Sequence, residues 1–362
     1  MNYDILNADE RVMVALRKMY RAYGYLPYKV SRFEEYDLYV QNKSALMSEQ
    51  VLTFTDTNGK LMALKPDITL SIIKNTRCDG EPRRVYYTEN VYRAPRGAYG
   101  FQEIMQTGLE CIGAVDDWAM CEVVSLAAKS LQAISPDCAL DVSDLRVLCA
   151  VLAGAEAGGQ AEILKLFGEK NLGGLDAACE KWSVPEKTRA LLSELLRLAG
   201  PIETALPRLL ALALPDGCGE ALGTLRALLA ALGDDAKNVN LDFSVVNDTD
   251  YYSGLVFKGF VSGIPAAVLS GGRYDGLMAR MGKPGGAIGF AVYLDQLERF
   301  FEKTPEYDVD ALAVYDEKTD PARLQALAGS LRAAGKTVRV QAGRGTLRCR
   351  ELYDLRGQEG RA

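Results

Sequence analysis

The chain contains no histidine in 362 residues. Every mechanism that needs an imidazole as general base, nucleophile or metal ligand goes with it, which removes Ser-His-Asp hydrolases, Cys-His proteases and most zinc enzymes. The 8 cysteines include no CxxC pair, so neither a zinc site nor a thioredoxin-type motif has support, and the thiols read as reduced and mostly buried. No metal and no cofactor is expected. An excess of positive charge is missing too: 42 basic against 48 acidic side chains leave a net charge of -6, which gives no overall attraction for nucleic acid. Long apolar runs are also absent from the N-terminal MNYDILNADERVMVALRKMYRAYGY, which is charged throughout, unlike a secretion signal or a membrane span. A cytoplasmic protein is expected.

What is present is 48% hydrophobic content, enough to fill two or three cores. Residues 8–23 place Val12, Leu16, Met19, Tyr20 and Tyr23 at helical spacing. Val51 to Phe54 and Leu61 to Leu64 flank DTNG, whose Asn58-Gly59 is a hairpin signal. A helix is expected through TLSIIKNT after Pro66-Asp67, then two antiparallel strands, Arg84 to Arg93 and Gln102 to Gly113, joined by APRGAYG. From Trp118 to Ala236, leucine and alanine recur every three or four residues, which reads as helical. Strand character returns at Val239 to Val246, Gly254 to Val261 and Ala266 to Leu269, followed by the glycine-rich SGGRYDGL and a helix over Phe290 to Phe301. The expected organisation is a discontinuous domain of residues 1–125 and 237–303, a linker and helical insertion over 126–236, and a short β-α-β fragment with a polar, loosely held tail over 304–362.

Four stretches carry polar groups among glycines or aromatics beyond what a core needs: LKPDIT (64–69), VYRAPRGAYGFQEIMQTGLE (91–110), DYYSG (250–254) and SGGRYDG (270–276). Within the second, Gln106 and Glu110 fall on the same face of a strand. Taken in this order, the stretches resemble the histidyl-tRNA synthetases, a branch of the class II aminoacyl-tRNA synthetases. There DYYSG corresponds to RGLDYYTG, SGGRYDGL to GGGRYDGL, Gln106 to Glu110 to QFGVE, and LKPDIT to LRPE-like or LRPD-like segments. The resemblance covers residues 8–125 and 237–303. It implies an α+β fold: an antiparallel sheet of the class II synthetase type flanked by helices, with a helical insertion and a small C-terminal β-α-β fragment.

The resemblance also implies a histidine pocket of Asp67, Thr69, Arg93, Gln106, Glu110, Tyr251, Tyr252, Gly271 and Tyr274. The departures lie where the synthetases handle ATP. Asn247 stands at the arginine of RGLDYY, Gln296 at the arginine of GFAIGLERL, Tyr293 at a glycine of that motif, and Pro95 at the acidic residue that follows the motif 2 arginine. Each oxyanion-type contact removed costs about 3–4 kcal/mol of transition-state stabilisation, so losing two arginines slows adenylate formation by several orders of magnitude. Within the family, the chain resembles the regulatory subunits of ATP phosphoribosyltransferase. That resemblance implies a homodimer, assembly with the short-form catalytic subunit into a hetero-octamer, activation of the first step of histidine biosynthesis, and feedback by histidine as a small-molecule ligand, with no nucleic acid or membrane partner. The alternatives are a divergent amino-acid-activating enzyme related to histidyl-tRNA synthetase, and a module acting on another partner.

Overall fold

In the computed structural model, residues 6–42, 50–77, 80–94, 100–246, 251–301 and 306–357 are described. In chain order, the first part runs α1 (Ala8–Ala22), β1 (Leu26–Pro27), β2 (Phe33–Glu35), α2 (Tyr36–Gln41), β3 (Thr53–Thr55), β4 (Leu61–Leu64), α3 (Thr69–Asn75), β5 (Arg83–Arg93), β6 (Gln102–Gly113), α4 (Asp117–Ile134) and β7 (Cys138–Asp144). A mostly helical stretch follows: α5 (Leu145–Val151), α6 (Ala157–Gly168), α7 (Leu172–Lys181), α8 (Glu186–Arg197), the short β8 (Ala199–Pro201), α9 (Ile202–Leu210) and α10 (Gly219–Leu232). The chain then returns through β9 (Val239–Asp242), β10 (Leu255–Val261), β11 (Leu269–Arg273), α11 (Asp275–Arg280), β12 (Gly286–Tyr293) and α12 (Leu294–Phe301). The contacts divide the chain into two compact units, residues 1–301 and 302–362.

The first unit is organised by a nine-stranded sheet in the order β1-β5-β6-β12-β11-β10-β7-β9-β8, antiparallel except where β1 meets β5 and β7 meets β9. One face takes the helices. Leu109, Phe257, Leu269, Phe290 and Val292 pack there with Val12, Leu16 and Tyr20 of α1 and with Val123, Val124, Ala127 and Leu131 of α4 in one buried cluster. The asparagine ahead of α1 and Asp116 ahead of α4 cap the two helices: Asn7 forms a capping box with Glu10, and Asp116 accepts from the Ala119 amide at 2.8 Å. The other face is left to a smaller layer in which α3, the hairpin β3–β4 and α11 cover Val85, Tyr87, Val91, Ile112 and Ala287. The expected α+β class, a large sheet flanked by helices, is what forms.

Several expected boundaries change. Residues 138–144, placed in the linker and insertion, form β7, which pairs along its whole length with β10 inside the sheet. SGGR, read as the start of a glycine-rich stretch after a strand, is itself most of β11, and the residues from Phe290 to Tyr293, read as the start of a helix, finish β12. The second unit is a three-stranded parallel sheet in the order β14-β13-β15, formed by β13 (Val309–Val314), β14 (Val338–Gln341) and β15 (Cys349–Asp354), with α13 (Pro321–Ala333) following β13. The polar tail therefore supplies a strand, because CRELYD alternates along β13 and its charges pair locally, Lys336 with Glu351 at 2.6 Å. Among the described residues, no helix is long and apolar enough to cross a membrane. The described cysteines are all free.

Candidate functional site

The sheet face away from α4 carries two rows of directly opposed residues: Val256, Gly272, Gly289 and Glu110 in one, Lys258, Ser270, Ala291 and Gly108 in the other. Side chains opposed across antiparallel strands point the same way, so the rows make a floor. Glycine keeps that floor low. A Cβ at Gly289 would coincide with the Glu110 carboxylate, and one at Gly272 would stand 2.6 Å from the Tyr252 ring. The result is a cavity of about 240 Å³ over β11 and β12.

The wall opposite the floor is LKPDIT, clamped onto β5 through Lys65, Pro66 and Asp67. Lys65 is 1% exposed and bridges to Glu89 of β5 at 2.7 Å, its carbonyl accepts from the Tyr92 amide, and the Arg93 Nε donates to the Pro66 carbonyl at 2.6 Å. The Asp67 carboxylate accepts from the Leu70 amide at 2.9 Å and lies 3.8 Å from the Arg93 guanidinium. Burial pushes the Asp67 carboxyl upward, opposed by Arg93 and by the amides of Leu70 and Thr69.

Glu110 sits at the deep end, 2% exposed. Thr69 Oγ1 donates to its Oε1 at 2.8 Å and Tyr274 Oη to its Oε2 at 2.5 Å. Burial raises this carboxyl to about 8; the two hydroxyl donors pull down and the Asp67 charge adds to the rise. Above stand the tyrosines, with Tyr251 4.7 Å from Tyr252 and 5.6 Å from Tyr274 between ring centroids. The hydroxyls of Tyr252 and Tyr293 both bond to Ser270, and Tyr293 also meets Arg93. Gln106 is 3% exposed and lines the cavity, yet its Nε2 has no hydrogen-bond partner among the described residues.

Of the residues expected here, Asp67, Thr69, Arg93, Gln106, Glu110, Tyr251, Tyr252 and Tyr274 line this one cavity. Gly271 does not. A Cβ there would meet Phe290 and Phe257 at 2.5 and 2.7 Å, on the helix-packed face, because it is one residue out of phase with Ser270 and Gly272. Tyr293, marked by its bulk at a glycine position, lines the cavity, whereas Gln296 does not and turns its Nε2 to Asp295 at 3.2 Å. Asn247 and Pro95 lie outside the described residues. Lys258 and Tyr87 also line the cavity and escaped the sequence reading; Ser270, inside the singled-out SGGRYDG, lines it too. Lys258 had a signal, a lone charge inside the apolar strand LVFKGF two residues from Val256.

Residues 4–297 match the family model described as Histidyl-tRNA synthetase. A Synechococcus protein named ATP phosphoribosyltransferase regulatory subunit is 32% identical over 310 residues, 82% of this chain and 73% of that one. The crystal structure of an ATP phosphoribosyltransferase regulatory subunit/histidyl-tRNA synthetase from Bacillus halodurans superposes with a TM-score of 0.78 at 23% identity, over 97% of this chain and 94% of that chain. A chain of the ATP phosphoribosyl transferase (HisG:HisZ) complex from Thermotoga maritima does so at 0.63 and 17% identity, over 80% and 98%. Together with the motifs gathered around one cavity, these matches mean that the chain belongs to the histidyl-tRNA synthetase family, on the branch of relatives named ATP phosphoribosyltransferase regulatory subunit.

Proposed function

We propose that this protein is a non-catalytic regulatory subunit that activates a short-form ATP phosphoribosyltransferase catalytic subunit and carries an amino-acid receptor inherited from a synthetase. The observation that carries the reading is the buried Gln106 amide, which lines the cavity with an unused donor beside the Thr69–Glu110–Tyr274 network. A buried donor without an acceptor costs free energy, so a site that keeps one is built for a ligand atom. Asp67 suits an α-ammonium group, and Glu110 with the tyrosine hydroxyls suits the nitrogens of an imidazole. Free histidine has both.

Phosphate handling has no comparable support. Arg93, which lines the cavity, is engaged by the Pro66 carbonyl and Asp67, and the arginine position of the third synthetase motif is Gln296, turned to its own neighbour. The partnership is supported by the name shared among the relatives and by the complex that contains the Thermotoga chain of the same fold. Histidine then acts by feedback if it binds the inhibited assembly, a hetero-octamer built on dimers of this chain, more tightly than the active one. Mixing the purified protein with a short-form transferase, with and without histidine, tests the reading: stimulated phosphoribosyl transfer that histidine suppresses is expected. Transfer indifferent to the added chain, or strong histidine-dependent ATP–pyrophosphate exchange by the chain alone, would overturn it.

A further inference from the structure

Lys258 stands in the cavity without a task in that reading. It projects from the middle of β10 onto the floor and makes no hydrogen bond or ion pair among the described residues. Its neighbours across the ladder are engaged elsewhere: Ser270 on β11 bonds to Tyr252 and Tyr293, and Asp141 on β7 accepts from Asn240 Nδ2 at 2.8 Å. Partial burial lowers the lysine from its ordinary value, and no carboxylate among the described residues acts on it.

The charges of the cavity do not balance around it. Asp67 and Arg93 face each other at 3.8 Å and offset one another, and burial raises the Glu110 carboxyl to about 8, which works against its charged form. Among the described lining residues Lys258 is the cation without a partner, partly desolvated and aimed at the ligand space, which is an arrangement that favours an anion. Geometry limits the size of that anion's carrier. Glu110 and Lys258 stand on β6 and β10, three strands apart in the order β6-β12-β11-β10, or about 14 Å at the usual strand spacing. Glu110 lies inward over Gly289 and Lys258 lines the same cavity, whose volume of about 240 Å³ confines the ligand to a small molecule.

We propose that Lys258 holds the carboxylate of the amino acid bound in this cavity, and so makes the receptor specific for ligands with a free carboxylate. The proposal rests on the amino-acid reading of the pocket, and the two fail differently. Calorimetry on the full chain with histidine, and with histamine as the analogue that lacks the carboxylate, separates them. The wild-type protein is expected to favour histidine by about 10- to 100-fold, the range of a hydrogen bond to a charged group. Lys258→Met should erase that preference by weakening histidine alone, and Lys258→Arg should restore most of it; unchanged melting of the Met variant certifies its fold. A preference that survives Lys258→Met but vanishes in Gln106→Leu would move the carboxylate to Gln106 and overturn the proposal while leaving the receptor intact. ATP binding that depends on Lys258, with histidine binding unaffected, would make the anion a phosphate and overturn it as well. Absence of binding by either imidazole ligand would sink the receptor reading, and this assignment with it.

Discussion

Glu110 concentrates the chemistry of the site in a single carboxyl whose folded value, about 8, stands far above its ordinary 4.5. A raised carboxyl stabilises the fold fully below the unfolded value, and the contribution is lost as pH rises through the folded one, so the window is about pH 4.5 to 8. Asp67 is shifted in the same direction and contributes alongside. Glu110→Gln keeps the shape and removes the titration. Thermal melting at pH 5 and pH 8 should therefore show wild type losing more stability across the interval than the Gln variant; parallel curves would mean that the carboxyl titrates normally. Glu110→Ala and Tyr252→Ala should each weaken histidine binding by about tenfold or more, the worth of a hydrogen bond to a charged group, as read by calorimetry. At this scale the sequence was informative where side chains alternate on one strand, as with Gln106 and Glu110. It did not point to Tyr87, which shares the site with Ser270 only because β6 pairs with β12, a strand far along the chain.

Elements hold these side chains in place, and two of the devices are measurable. Gly289 is the gap in β12 through which Glu110 lies, so Gly289→Ala must displace the carboxylate or the strand. A cost of about 1–3 kcal/mol in denaturant unfolding is expected from such overpacking, with histidine binding lost beyond what stability explains. Lys65 fastens the LKPDIT segment to β5 through Glu89 and the Val30 carbonyl. Truncation by Lys65→Ala strands the partly buried Glu89 and should cost about 3 kcal/mol, seen as a lowered denaturant midpoint with unchanged slope. The β5–β6 hairpin and the Asn58-Gly59 turn were readable because alternation and turn chemistry are local signals. β7, β11 and β15 were not. CALDVSD and SGGR are buried by neighbours on both sides rather than patterned for one face, and CRELYD is a strand only because β13 lies beside it in parallel.

At the scale of the whole molecule, the cavity lies entirely in the unit of residues 1–301, all of its lining between Asp67 and Tyr293, while the proposed regulation would be expressed in another protein's reaction. Thermodynamics constrains how those two facts can be joined. If histidine in this cavity loosens or restrains the association with the catalytic subunit, then the catalytic subunit must change the histidine affinity of this chain by the same factor, since the coupling free energy belongs to the pair of binding events and not to either ligand. Couplings of this kind run to about 1–3 kcal/mol, or roughly 5- to 150-fold. Titrating histidine into the free chain and into the assembled complex measures one side of the cycle, and titrating the catalytic subunit with and without histidine measures the other. The two factors should agree and should both collapse in Glu110→Ala, because removing the deep contact removes the differential binding. If the complex is inhibited by histidine while the affinity of this cavity is the same in the free and assembled chain, the inhibitory site lies elsewhere, since a ligand bound equally by both states shifts nothing.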